Sequence, residues 1–236
     1  MKILAIDSSG LTASVAIAED DNLLAEYTVN NKKTHSQTLL PMLDEIVKAT
    51  DTELEEIDAI AVAKGPGSFT GLRIGASTVK GLALALDKPV VPVPTLEGLA
   101  YNLWNMSGLV CPIMDARRNQ VYTALYKFEN GEPVTVMPQT PLDIDELLDV
   151  IFEKNEKVTF AGDGVDVYSD HIVSRIPDAL FAPLHMNKQH AGSVAFAGMT
   201  RFKRGEFING DDFAPEYLRV PQAERERKEK QGDLNE

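Results

Sequence analysis

The chain has 236 residues, 44% of them hydrophobic, and can bury one large core or two modest ones. Its formal net charge of −13 argues against this chain alone binding a polyanion, because Lys and Arg supply most of the affinity for nucleic acids. The single cysteine, Cys111, cannot form an internal disulfide. The first apolar run is broken by Asp7, and no run approaches the roughly 18 apolar residues of a membrane span. We therefore expect a cytoplasmic protein that makes no use of a membrane.

The first half of the sequence predicts three strands, a helix, a strand, a second helix and a further strand. The early strands show alternating apolar residues, and the first helix shows apolar residues at helical spacing behind Thr34 and Gln37, which suit a capping box. The expected ranges, in chain order, are 3–7, 12–18, 23–29, 36–49, 57–63, 70–86 and 90–93.

A glycine-proline elbow joins the fourth of these strands to the second helix, in the run AVAKGPGSFTGLRIG. Gly65 and Gly67 permit positive φ angles, and Ser68 or Thr70 can cap a helix whose free amide groups favour an anion. A tight strand-to-helix connection is the alternative. The run is not a Walker A loop, because no Lys-Ser or Lys-Thr follows the second glycine. A peptidase with Ser68 as nucleophile and His35 as base would need a third orienting group, and the sequence offers none.

The second half repeats this order of elements. Strands are expected at 109–114, 121–128, 133–137 and 158–161, with helices at 144–153, from the elbow at 162–164 to about 174, and at 193–203. The repeat predicts an α/β fold of two duplicated lobes, each a mixed sheet with flanking helices. We expect the lobes at 1–107 and 108–221, a solvated tail at 222–236, and a cleft across which Asp7 and Asp115 face each other.

Two lobes that each open with a strand ending in Asp at a turn resemble the actin-like ATPase superfamily. Within it, five motifs resemble the TsaB (YeaZ) family over residues 1–221: ILAIDSS, AVAKGPGSFTGLRIG, PTLEGLA, PIMDARRNQVY and PEYLR. The resemblance implies a role in making threonylcarbamoyladenosine in tRNA. It implies pairing with the paralogue TsaD, which transfers threonylcarbamoyl from its adenylate to an anticodon-loop adenosine, assisted by the ATPase TsaE. The resemblance also implies that this protein contacts tRNA only as part of that complex. It is compatible with an adenine nucleotide at the subunit junction.

The first turn keeps part of a phosphate-binding site. Nucleotide-binding members of the superfamily need turns that bring backbone amides to the phosphates. Asp7, Ser8, Ser9 and Thr12 are the candidates for holding a phosphate, and a plain hairpin turn is the alternative.

The second turn and the metal-binding positions depart from the catalytic pattern. Arg117 and Arg118 follow Asp115 and would fill the space that glycines leave open, although they could also bind an acidic ligand or lie in solvent. The paralogue's H-x-E-G-H pattern is replaced by residues 95–99, TLEGL, so both histidine ligands are missing. We expect no catalytic residue, no bound metal and no cofactor in the isolated chain, and hence a non-catalytic subunit. A stand-alone actin-like ATPase or phosphotransferase is the alternative function.

The first two helices are the candidate partner surface. The apolar arc of the first is wider than one core needs, and the second carries small residues that let another helix approach closely. We expect this surface to bind TsaD, or to close a homodimer when the partner is missing. A charge at Leu43 or Ala76 is expected to abolish pairing and leave the fold intact, whereas burial of both helices in their own lobe is the alternative. The interface candidates are Ser36, Leu39, Leu40, Met42, Leu43, Ile46, Phe69, Leu72, Arg73, Ala76 and Ser77.

Overall fold

The computed structural model describes residues 1–31 and 33–219 of the chain. The central strands of its first sheet are buried on both faces. Its five strands lie in the order β3-β2-β1-β4-β5, and β1 pairs antiparallel with β2 and parallel with β4. Because helices cover both faces, β1 and β4 are near-continuous apolar runs. The strands are β1 (Lys2–Asp7), β2 (Ala13–Glu19), β3 (Asn22–Val29), β4 (Ala59–Gly65) and β5 (Val90–Pro94).

Three helices are interleaved with these strands: α1 (His35–Ala49), α2 (Phe69–Leu86) and α3 (Thr95–Tyr101). The backbone amide of Thr34 donates to Gln37 Oε1 at 3.3 Å, which forms the Gln37 half of the predicted capping box. One face of α1 and one face of α2 share a core with β1, β2 and β4. These helices therefore cover one side of the first sheet.

The second sheet repeats the topology of the first. Its order, β10-β9-β6-β7-β8, pairs the first strand of the half, β6, antiparallel with β7 and parallel with β9, as β1 pairs with β2 and β4. Two five-stranded mixed sheets with flanking helices confirm the predicted fold class. The elements are β6 (Leu109–Asp115), β7 (Gln120–Glu129), β8 (Glu132–Asp143), α4 (Ile144–Lys154), β9 (Val158–Ala161), α5 (Gly164–Arg175) and β10 (Leu180–Phe181).

Two strands of this sheet differ from the sequence prediction. Strand β8 continues to Asp143 instead of ending near residue 137, since it lies at the sheet edge, where Pro138 and Pro141 are tolerated. Strand β10 has only two residues and was not predicted.

The last helix, α6 (Ala191–Lys203), follows the second sheet in the sequence but packs on the first. Its apolar face shares a core with Ile3 and Ala61, and a Cβ on Gly198 would lie 2.6 Å from that of Ala61. The helix thus covers the second side of the first sheet. The lobe boundaries at 107 and 221 stay a prediction, and the predicted tail at 222–236 lies outside the described residues. Among the described helices, none combines the length and apolar character of a membrane span.

Candidate functional site

The first turn is packed against itself and against α2. Ser9 donates to Asp7 Oδ1 from its backbone amide at 2.8 Å and from its hydroxyl at 2.6 Å. Burial raises the pKa of Asp7 to about 6, although the two hydrogen bonds from Ser9 oppose the rise. Ser8 Oγ donates to the carbonyl of Gly71 at 2.9 Å, and the buried Thr12 hydroxyl has no hydrogen-bond partner within the described residues. Phosphate binding by these four candidates stays a prediction.

The elbow is shaped by close backbone contacts. Gly65 has a φ of 121°, and a Cβ there would lie 2.2 Å from the carbonyl oxygen of Glu216. Gly67 does not adopt the positive φ that the sequence suggested. It is needed because a Cβ would lie 2.3 Å from the carbonyl oxygen of Ser9. Ser68 caps α2, as one of the two predicted candidates, and its backbone amide donates to Ser9 at 2.7 Å. The elbow therefore fixes α2 to the first turn.

The second turn is closed by its own groups. Arg117 and Arg118 have positive φ angles of 61° and 56°, and both side chains are exposed. Asp115 Oδ1 accepts from the Arg117 amide at 2.9 Å and from Tyr168 Oη at 3.4 Å. The amide of Asp115 donates to Asp163 Oδ1 at 3.1 Å. Burial raises the pKa of Asp163, and its hydrogen bond to the Asp115 amide partly offsets that rise.

A cleft of about 720 Å³ lies between the two turns. Asp115 lines it, whereas the carboxylate of Asp7 is only 2% exposed and is not among its lining groups. The expectation that these two carboxylates face each other across the cleft is therefore wrong for Asp7, which is turned into the packed first turn. The cleft is lined from both lobes by residues 9–11, 67–70 and 114–117, by Tyr122, Asp163, Asp166 and Val167, and by residues 217–219.

The last described residues lie along this cleft and contact both lobes. The ring of Tyr217 lies 4.8 Å from that of Phe69, centroid to centroid, at the start of α2. Arg219 Nη1 donates to the carbonyl of Ala116 in the second turn at 2.9 Å. The sequence motif PEYLR thus joins the elbow to the second turn. The sequence of the motif gives no indication of these contacts.

Residues 95–99, which the sequence resemblance aligned with a metal-binding pattern, form structural contacts in this chain. Thr95 Oγ1 accepts from the amide of Gly65 at 3.1 Å, and Glu97 binds Arg201 through two hydrogen bonds of 3.2 and 2.7 Å. Within the described part of the chain, no group of three or more His, Cys, Asp or Glu side chains could hold a metal ion. The absence of a metal stays a prediction.

Three of the four histidines, His35, His171 and His190, contact a backbone carbonyl or a single carboxylate. His35 Nε2 lies 2.9 Å from the carbonyl oxygen of Gly10, and Ser68 Oγ accepts from the α2 backbone. These contacts give no base for Ser68 as a nucleophile. His171 pairs with Asp145 at 2.8 Å on an exposed face.

A groove between α1 and α2 has a volume of about 490 Å³. Leu40 on α1 is 58% exposed beside it, and the guanidinium of Arg73 stacks 3.9 Å above the ring of Phe69. Ser36 and Ser77 complete the rim. The structure brings together five exposed or half-buried members of the predicted interface: Ser36, Leu40, Phe69, Arg73 and Ser77.

The other six interface candidates are buried in the chain's own core. Each is at most 7% exposed, and most belong to the cluster that joins both helices to the first sheet. The prediction placed them on the partner surface, but their side chains point to the sheet because both helices use their apolar stripe for intramolecular packing. The six are Leu39, Met42, Leu43, Ile46, Leu72 and Ala76.

Comparison with known proteins identifies relatives along most of the chain. A family model described as TsaD, tRNA N6-adenosine threonylcarbamoyltransferase, matches residues 22–227. The chain is 36% identical over 225 residues to the tRNA threonylcarbamoyladenosine biosynthesis protein TsaB of Bacillus subtilis, covering 95% of this chain and 96% of that protein. The structure of YeaZ from Pseudomonas aeruginosa superimposes with a TM-score of 0.76 at 29% identity, covering 92% and 99% of the two chains. The chain therefore belongs to the TsaB (YeaZ) family of tRNA threonylcarbamoyladenosine biosynthesis proteins.

Proposed function

We propose that this protein is a non-catalytic partner subunit that binds the paralogue TsaD and orders it for threonylcarbamoyl transfer to tRNA. The observation that carries the proposal is the groove between α1 and α2. It combines an exposed leucine with a stacked Arg73–Phe69 pair on helices whose opposite faces are fixed in the core. Rigid apolar anchors with an arginine are typical of protein interfaces.

The shape of α2 supports helix-helix docking at this groove. Its exposed stripe runs through Thr70, Arg73, Ser77 and Gly81 and ends at Leu84, which is 78% exposed. Small side chains in the middle of such a stripe let a partner helix approach closely, while apolar groups at the ends bury surface. A helix of the paralogue, which shares the fold, fits this geometry.

The two turns support a non-catalytic role. In the first turn, the carboxylate that superfamily catalysts direct to a nucleotide accepts hydrogen bonds from Ser9 and is buried. In the second, the Arg117 side chain lies in the cleft, along which Arg219 also lies. Backbone amides that would have to contact phosphates are thus already used or obstructed.

The proposal is tested by mixing the protein with TsaD and measuring complex mass by light scattering and affinity by calorimetry. Leu40→Glu and Arg73→Glu place a carboxylate in the groove without disturbing the buried face. We expect each to weaken pairing at least about tenfold, because a charge buried against an apolar surface without a counter-ion is costly. Transfer activity reconstituted with TsaD and TsaE should fall in parallel.

The matched control is Phe152→Glu, which makes a similar change at a position on α4 that is 72% exposed. It should pair as the wild type does. Pairing that survives both groove variants would move the interface elsewhere. ATP turnover by the isolated chain, abolished by Asp7→Ala, would instead favour the stand-alone ATPase.

A further inference from the structure

A third cavity, of about 670 Å³, lies where the chain passes twice between the two halves. One passage leads from α3 to β6 and the other from β10 to α6. Asn102 ties them together, since its Nδ2 donates to the carbonyls of Met186 at 2.9 Å and Lys188 at 2.6 Å. No lining residue is shared with the cleft or the α1–α2 groove.

The walls of this cavity are mainly aromatic and thioether groups. Trp104 and Met106 lie on the first passage and remain 51% and 38% exposed, and Phe181 and Met186 line the cavity from β10 and the second passage. The indole N–H of Trp104 donates to the carbonyl of Gly131 at 2.9 Å, so the ring is held in place. Such walls favour a flat ring, which packs against both π faces and sulfur.

The charged groups at this cavity neutralise each other. Glu26 pairs with His190. The Glu26 carboxylate also accepts hydrogen bonds from the hydroxyl of Thr28 at 2.6 Å and from the amide of Gly192 at 2.9 Å. The hydrogen bond to Glu26 raises the pKa of His190, which favours the paired, charged form. A charged ligand would therefore lose water here, and neither Glu26 nor His190 is free to act as its counter-ion.

One buried side chain in the lining has a hydroxyl without a hydrogen-bond partner among the described residues. Thr159, on β9, is 4% exposed and lines the cavity, and its hydroxyl makes no hydrogen bond to any residue that the structure describes. A ligand atom in the cavity could form a hydrogen bond with this hydroxyl.

We propose that this cavity binds an uncharged aromatic small molecule, with its ring between Trp104 and Phe181 and one polar group hydrogen-bonded to Thr159. Because the charges of Glu26 and His190 cancel within their pair, the cavity disfavours ionic ligands. The Thr159 hydroxyl selects ligands with a hydrogen-bonding substituent. A ligand seated there contacts both passages and so stabilises the two halves against each other.

Benzamide is the probe, with benzoate and benzylammonium as its charged analogues of nearly the same shape. Trp104 is the only tryptophan, so its indole N–H gives a single, self-assigned signal in a nitrogen-15 NMR spectrum. Benzamide should shift that signal saturably and raise the melting temperature, as ligands of the folded state do. The two ions should bind at least about tenfold more weakly.

Thr159→Val removes the hydroxyl and keeps the side-chain shape. It should weaken benzamide binding about threefold to tenfold, which is the usual effect of losing one hydrogen bond. Thr135→Val, an exposed strand position outside the cavity, is the matched control and should bind as the wild type does. An unmoved Trp104 signal at saturating benzamide, equal binding of either ion, or full binding by Thr159→Val would each overturn the proposal.

Discussion

Replacing Leu43 by Ala tests which face of α1 belongs to the core. Leu43 is 6% exposed and packs in the first core cluster, whereas Leu40, three residues earlier, is 58% exposed. Truncation of a buried leucine costs about 2–5 kcal/mol, from lost burial and from the cavity left behind. In a chain of this size, about 2–4 °C of melting temperature is lost per kcal/mol, so Leu43→Ala should melt about 4–20 °C lower. Leu40→Ala should change stability by no more than about 0.5 kcal/mol.

The assay is thermal unfolding followed by circular dichroism, with TsaD pairing measured on the same samples. Leu43→Ala should lose stability, while Leu40→Ala should keep its stability and lose affinity for the partner. From the sequence alone, a charge at Leu43 was expected to leave the fold intact, and the observed burial reverses that expectation. Equal melting of Leu43→Ala and the wild type would refute the assignment of this face to the core.

Two further predictions concern the first turn and α2. Gly67→Ala should destabilise the chain by more than about 1 kcal/mol, because its Cβ would lie 2.3 Å from the Ser9 carbonyl oxygen. A Cβ on Gly81 meets nothing within 4 Å, so Gly81→Ala should stabilise α2 by about 0.5–1 kcal/mol. Denaturant unfolding measures both changes, and equal effects would contradict the packing argument. Asp7→Asn should stabilise the chain by up to about 3 kcal/mol above pH 6, because burial raises the Asp7 pKa to about 6 and its stabilising protonated form is lost as pH rises through that value. The gain should be small near pH 4, and an equal gain at pH 4 and pH 8 would contradict it.

The order of elements could be predicted from the sequence because each strand and helix carries its own periodic signal. The duplication was also visible, since β1 and β6 both end in Asp at a turn. The elbow was recognised from its glycines, and Ser68 was one of two cap candidates. Local rules fix such features because the residues that determine them are neighbours in the chain.

The faces of the helices could not be predicted in the same way. Leu40 and Leu43 are the same residue type on one helix, and only the position of the sheet decides which of them is buried. The return of α6 to the first sheet and the path of Tyr217 along the cleft are long-range contacts with no local signature. The third cavity was missed for the same reason, because Trp104 and Phe181 come to line one cavity only in the folded chain.

The first turn and the elbow together position the proposed docking helix. Helix α2 can approach Ser8 closely because Gly71 and Gly75 have no Cβ. A Cβ on Gly71 or Gly75 would lie 2.1 or 2.4 Å from an atom of Ser8. Its hydroxyl donates to the Gly71 carbonyl, and Ser68 binds the turn through its amide. The first turn thus holds a helix against its backbone. Under the proposed function, the buried motif sets the geometry of the exposed Arg73 stripe, so changes in the turn should alter pairing without contacting the partner.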